Sequence, residues 1–282
     1  MQEIDRYLSP AKINLGLEVL YERPDGYHEI NTCFVRVLEP HDSVSVTRSG
    51  FFRLTCSDPT LPVDSSNLMM KAALAFEKLA GHTLPRIHVH LEKVIPMGAG
   101  LGGGSSNAAS MLQILCDRSE APPSSVDVMK IAAKIGADVP FFLAGNKIAR
   151  AGGIGEELTP LSIELPLTIL IVVNPTIQIS TKDAYALLSP SPEPSQVDYI
   201  SFFDDPPALS QWKEKLRNDF EPEIFRRIPK LGMIKHAMYS RGAVFALMSG
   251  SGSSIYGLFE NPELAESAKQ KFLEEKLLAF LS

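Results

Sequence analysis

Pro96-Met97-Gly98-Ala99-Gly100-Leu101-Gly102-Gly103-Gly104-Ser105-Ser106-Asn107-Ala108-Ala109 is the stretch that decides how this chain is read. Five of its first nine residues are glycine, and two serines and an alanine-rich apolar segment follow. A backbone without Cβ atoms can turn its N–H groups inward and let a bulky anion approach closely. Ser105 to Leu112 has the composition of the first turns of a helix, whose free N–H groups and positive dipole end favour phosphate. A flexible linker would not run directly into a helix with alanine and leucine on one face, so we read the stretch as a polyphosphate cradle.

It is not a P-loop, because no lysine stands before Ser105. Gly98 to Gly103 does satisfy G-x-G-x-x-G, with Asp117 and Glu120 further on. The strand before a dinucleotide loop, however, is normally buried on both faces and almost wholly apolar. Here Arg86-Ile87-His88-Val89-His90-Leu91-Glu92-Lys93-Val94-Ile95 alternates polar with apolar residues. That is the pattern of a half-exposed strand in an antiparallel or mixed sheet.

Outward from this stretch, 282 residues suffice for one large core or two ordinary ones. A hydrophobic content of 45% with 21% charged residues fits a globular protein. The net charge of −6 carries no basic tract, so no nucleic-acid partner is expected. Cys33, Cys56 and Cys116 are odd in number and form no C-x-x-C, which argues against a disulfide framework or a zinc site and for a reducing compartment. No apolar run is long enough to span a bilayer, and the acidic start Met1-Gln2-Glu3-Ile4-Asp5-Arg6 does not resemble a signal peptide. A cytoplasmic protein without a membrane partner is expected.

Alternation predicts strands at Tyr7–Tyr21, Thr32–Leu38, Ser43–Thr47 and Phe52–Cys56. Asp64-Ser65-Ser66 is read as the cap of a helix carrying Leu68, Ala72, Ala75, Phe76 and Leu79. Further helices are expected at Val126–Ile135, Ala208–Arg217, Pro222–Ile228, Gly232–Tyr239 and Pro262–Leu281. Strands are expected at Pro166–Val173, Ala243–Met248 and Ile255–Phe259, and Ser189–Pro207 reads as a loop or irregular insertion. The composition shift near Gly155 suggests domains 1–156 and 157–282.

Several polar residues admit two readings. Asp138, in the apolar setting Ala137-Asp138-Val139-Pro140, needs a partner, and is either a general base or the cap of the next turn. Lys12, between Ala11 and Ile13, is either a solvated strand lysine or a site cation. Tyr27 and His28 are adjacent and point to opposite faces of extended backbone. Asn67 could cap a helix and Lys93 could be solvated. His88 and His90 share a strand face, which a solvated surface explains better than a metal.

Three motifs now stand in order: Ser9-Pro10-Ala11-Lys12-Ile13-Asn14-Leu15, the glycine–serine loop, and Ser249-Gly250-Ser251-Gly252. The set resembles the GHMP small-molecule kinases. Asp25-Gly26-Tyr27-His28, Gly136-Ala137-Asp138-Val139-Pro140-Phe141-Phe142, and Ile179-Ser180-Thr181 with Ala184-Tyr185 narrow the resemblance. They look like the members that phosphorylate a cytidine-diphosphate-linked methylerythritol in the non-mevalonate route to isoprenoid precursors. The resemblance covers essentially the whole chain. It implies a two-domain α+β fold with mixed and antiparallel sheets packed with helices and an active site in a cleft between domains. It implies ATP and Mg²⁺, Asp138 as catalytic base, and Lys12 as the cation that orients Asp138 and polarises the attacking hydroxyl. Residues 96–106, with Asn67 and Lys93, would take ATP. Asn14, Tyr27, His28, Phe34, Thr181 and Tyr185 would take the cytidine substrate. A hydroxyl of Ser105 or Ser106 could reach Mg²⁺, and its other protein ligands are unassigned.

Overall fold

The computed structural model describes residues 4–188 and 197–282. The chain divides into two compact units that alternate along the sequence. The first comprises residues 1–11, 41–95 and 102–146, and the second residues 12–40, 96–101 and 147–282.

Two long strands, β1 (Asp5–Glu22) and β2 (His28–Arg48), pair with each other and contribute to both units. The first unit adds β3 (Arg53–Cys56), α1 (Leu68–Ala80), β4 (Ile87–Glu92), α2 (Gly103–Arg118), α3 (Ser125–Ile135) and α4 (Val139–Leu143). β4 runs antiparallel to β2, with Ser43 opposite Glu92 and Arg48 opposite Ile87, and parallel to β3. The alternation in β4 works as expected: Ile87, Val89 and Leu91 are buried, while His88 and His90 face outward. α1 buries Met69, Ala72, Ala73 and Phe76, and α2, which buries Ala108, Met111, Leu112 and Leu115, packs against α1, α3 and α4. Truncating a ring such as that of Phe76 would cost about 3–5 kcal/mol.

In the second unit, β5 (Ile148–Gly152) pairs antiparallel with β2, and β6 (Glu157–Pro160) pairs with β5. Then come β7 (Thr168–Val173), α5 (Thr181–Tyr185), α6 (Tyr199–Asp204), a 3₁₀ turn at Leu209–Gln211, α7 (Trp212–Lys215), α8 (Glu221–Arg227) and α9 (Pro229–Ser240). β8 (Phe245–Met248), β9 (Ile255–Phe259), α10 (Pro262–Glu274) and β10 (Leu278–Leu281) finish the chain. The strands form an antiparallel sheet in the order β10-β7-β9-β8. Leu17, Val19 and Ile30 share one core with Leu170, Val172, Met248, Ile255 and Phe272. Mixed and antiparallel sheets packed with helices make this an α+β fold, not a doubly wound parallel one.

Four expectations are corrected. Thr32–Leu38 and Ser43–Thr47 belong to one continuous strand: residues 32–35 pair with β5, residues 43–48 pair with β4, and Pro40 lies between the two pairings. The cap of α1 is Asn67, whose Oδ1 accepts from the Met69 N–H, while Asp64 closes a turn with Ser66. The segment read as a loop over Ser189–Pro207 contains α6, with residues 189–196 outside the described ones. The final helix stops at Glu274, Lys276 takes a left-handed φ of 61°, and the remaining apolar residues form β10 against β7.

Candidate active site

The phosphate-loop residues fall in both units, 102–106 in the first and 96–101 in the second. In the first, α2 begins at Gly103, with Gly102 left-handed at the cap position and no acidic residue in the first turn. No carboxylate of the helix's own first turn therefore offsets the positive end of this 16-residue helix. Gly104 is exposed, Ser105 half-buried and Ser106 buried. The Ser106 hydroxyl has no hydrogen-bond partner among the described residues. A buried hydroxyl in that condition is costly unless a ligand satisfies it.

Lys93 is not solvated. Its ammonium pairs with Asp42 at 2.6 Å, and both side chains are buried. Asn67 spends both ends of its amide on the protein: Nδ2 donates to the Pro62 carbonyl and Oδ1 caps α1. Asp138 stands at the cap position of α4 and is half-buried, yet its side chain makes no capping bond there. Gly103 is a packing position, since a Cβ there would lie 2.9 Å from Ile95 Cγ2 and 3.0 Å from Lys93 Nζ.

In the second unit, Pro96 to Leu101 lie against the Ser249–Ser254 turn. The Ser254 N–H donates to the Ala99 carbonyl at 3.1 Å, and the Ile179 N–H to that of Gly98 at 3.3 Å. The Gly100 carbonyl accepts from Ser249 Oγ at 2.9 Å and from Lys12 Nζ at 3.1 Å. Gly100 has φ +74°, and a Cβ on it would meet the Ser249 carbonyl oxygen at 2.1 Å, so only glycine allows this approach. Met97 is partly exposed beside it.

Lys12 is only 4% exposed, against the expectation for a strand lysine. Its Nζ donates to Asn14 Oδ1 at 2.6 Å and sits 5.1 Å from the centre of the buried Phe34 ring. Asn14 Nδ2 donates to Thr32 Oγ1, so Asn14 and Phe34 hold the ammonium in place. The His28 and Tyr185 rings stack at 4.9 Å with an interplanar angle of 29°, and Phe220 meets Tyr185 edge-on. Thr181, at the start of α5, lies 3.2 Å from Ser251 Oγ. Tyr27 is 59% exposed; its N–H donates to Asp25 Oδ1 and its carbonyl accepts from the Arg23 N–H.

The arrangement thus supplies a fixed ammonium, an aromatic stack and, in the other unit, a helix N-terminus with an unsatisfied hydroxyl. Sequence reasoning missed Asp42, which sits in a turn-like Pro-His-Asp-Ser context without any signal of burial. It also missed Asn218, whose Nδ2 donates to the Met248 and Gly250 carbonyls and so shapes the turn that holds Gly100. Among the described residues no group of three or more His, Cys, Asp or Glu could hold a metal, and no helix is long and apolar enough to cross a membrane.

The GHMP kinases N terminal domain family matches residues 67–146, and the GHMP kinases C terminal family matches residues 207–277. The 4-diphosphocytidyl-2-C-methyl-D-erythritol kinase of Salinibacter ruber is 41% identical, over 97% of this chain and 96% of its own length. This chain belongs to the 4-diphosphocytidyl-2-C-methyl-D-erythritol kinase family of the GHMP kinases. The family member from Solidesulfovibrio magneticus is 42% identical over 92% of this chain and 90% of its own. A crystal structure of 4-(cytidine 5'-diphospho)-2C-methyl-D-erythritol kinase superposes with a TM-score of 0.80 at 34% identity, with 99% of each chain covered. As a family member the chain is a phosphotransferase with an alcohol acceptor.

Proposed function

We propose that this chain transfers the γ-phosphoryl group of ATP to the 2-hydroxyl of 4-diphosphocytidyl-2-C-methyl-D-erythritol, a step in the non-mevalonate route to isoprenoid precursors. The observation that carries the proposal is 41% identity over 97% of the chain to a relative of that name. Phosphoryl transfer asks the protein chiefly to position the hydroxyl and to neutralise spreading charge. The buried ammonium of Lys12, held by Asn14 and Gly100, suits the second task. Asp138 takes the hydroxyl proton in this scheme. Residues 96–106 hold the polyphosphate, with Asn67 and Lys93 supporting the nucleotide end. Tyr185 offers a ring to a flat base, with His28 to bond its polar edge and Tyr27, Thr181 and Phe34 completing that end.

The unsatisfied Ser106 hydroxyl fits Mg²⁺, which prefers oxygen and rests largely on phosphates and water. When bound, the ion would neutralise charge on the β- and γ-phosphate oxygens. We place the protein in the cytoplasm and divide it at 156/157, a boundary that the matched segments 67–146 and 207–277 flank.

The deciding experiment measures phosphate transfer from labelled ATP to a panel of small alcohols with and without the cytidine group. Transfer to the cytidine-linked alcohol alone is expected. Equal transfer to free methylerythritol phosphate would overturn the substrate. Loss of one base–aromatic stack, as in Tyr185→Ala, should weaken binding of the cytidine substrate by about 1–3 kcal/mol and leave ATP affinity unchanged.

A further inference from the structure

Asp42 is completely buried, and its carboxylate accepts from four donors. Lys93 Nζ lies at 2.6 Å, the Val94 and Ile95 N–H groups at 2.7 and 2.8 Å, and Asn107 Nδ2 at 2.8 Å. A carboxylate has about four lone-pair sites, so its capacity is filled. The donors are not scattered. Three belong to the residues that lead into the glycine-rich stretch, and the fourth stands in the second turn of the helix that leaves it. Gly103, the first residue of α2, packs on the same cluster, as its contacts with Ile95 and Lys93 require. Ser106, with its unsatisfied hydroxyl, immediately precedes Asn107.

We propose that Asp42 is a positioning residue for the nucleotide phosphates. By clamping residues 93–95 and Asn107 to one buried charge, it sets the direction in which the first N–H groups of α2 and the Ser106 hydroxyl are presented. Charge-assisted hydrogen bonds are short and directional, which suits them to hold such a geometry. A buried ion pair contributes little net stability for its desolvation cost, so geometry explains this one better than stability does. The inference rests on reading the α2 N-terminus as the phosphate site.

A merely structural Asp42 would lower the thermal midpoint and the active fraction, but folded molecules would keep their nucleotide affinity. The test uses Asp42→Asn and Asn107→Ala. Each is titrated calorimetrically with a non-hydrolysable ATP analogue and, separately, with the cytidine-diphosphate-linked alcohol. Loss of a hydrogen bond to a charged group predicts about a tenfold or greater rise in Kd for the analogue in Asp42→Asn. Asn107→Ala, which removes one of four donors and leaves the carboxylate its other three, should give a smaller rise of about threefold, near the lower end of an ordinary hydrogen bond's net worth. Kd for the alcohol should not move, and KM for ATP should rise more than kcat falls. Variants that are folded by near-ultraviolet circular dichroism but keep the wild-type Kd for the analogue would overturn the inference. Should Asp42→Asn not fold, Asn107→Ala decides alone. Failure of the wild-type protein itself to bind the analogue would instead overturn the phosphate-site reading, and the inference with it.

Discussion

Lys12 donates from Nζ to Asn14 Oδ1 across 2.6 Å, two residues along one face of β1. The amide at position 14 is itself held by Thr32, so the ammonium sits on a rigid mount. Lys12→Met keeps the apolar stem and removes the charge. We expect kcat to fall by roughly 10²–10³-fold, the range for loss of one preorganised electrostatic group, with KM for ATP nearly unchanged. The thermal midpoint should also fall, because Asn14 Oδ1 is left buried without its donor, so the rates are compared on folded protein. Steady-state kinetics decide: a pure loss of ATP affinity with normal kcat would remove Lys12 from the reacting hydroxyl.

Asp138→Asn should lower turnover by roughly 10²–10⁴-fold, as for loss of a general base. Asp138 makes no capping bond in α4, so a frayed helix would not account for such a loss. Near-normal kcat in purified, folded protein would retire the assignment.

Gly100→Ala tests the approach of the loop to the Ser249–Ser254 turn. A Cβ at φ +74° costs about 1–2 kcal/mol by itself, before the Ser249 carbonyl is displaced. A shift of about 1 Å at a site of this kind costs roughly 10²-fold in rate, and we expect a loss of that order. Wild-type activity with an unchanged melting temperature would show that the turn gives way without consequence.

A pH effect follows from the outer face of β4. Arg53 has only donors, so His88 Nδ1 accepts from it at 3.1 Å. Neutral His88 then donates from Nε2 to Thr55 Oγ1 at 2.7 Å, and Thr55 donates to His90 Nδ1 at 2.8 Å, with Glu92 beyond His90. Burial, then the charges of Arg53 and His90, hold the His88 pKa below its ordinary 6.5. The unfolded chain therefore binds this proton more readily than the native one. The His88 contribution is complete above pH 6.5 and declines as pH falls through that value. Between pH 7.5 and 5.5 the melting temperature of the wild type should drop further than that of His88→Asn, as followed by circular dichroism. Parallel profiles would contradict it.

Much of the fold was legible because burial here follows period. β4 alternates, and α1 and α3 keep a helical stripe, whereas β1 departs from its alternating sequence and is buried on both faces from Ala11 to Val19. The misreadings fell where local signals compete. Glu39-Pro40-His41 punctuates like a turn although the strand continues through it. Leu277-Leu278-Ala279-Phe280-Leu281 is apolar enough for either helix or strand, and its pairing with Val173 to Leu170 decides the matter. The glycine loop, Lys12 and Asp138 announced themselves through motifs. Asp42 and Asn218 did not, because a buried polar group is defined by donors and acceptors distant in sequence.

The alternation of the two units has a consequence for synthesis. Residues 12–40 belong to the unit that residues 147–282 complete, whereas the other unit is whole once residue 146 has appeared. At about 5–20 residues per second, roughly 5–20 s separate the emergence of Pro40 from that of Lys147. During that interval Leu17, Val19 and Ile30, all buried in the finished protein, lack the partners from Leu170 onward that complete their core. Nascent chains stalled with residues 1–146 exposed should protect 41–95 and 102–146 from protease and leave 12–40 open to cleavage; protection of both would refute this order. On this order the strand that carries Lys12 and Asn14 is among the first parts made and among the last to be seated.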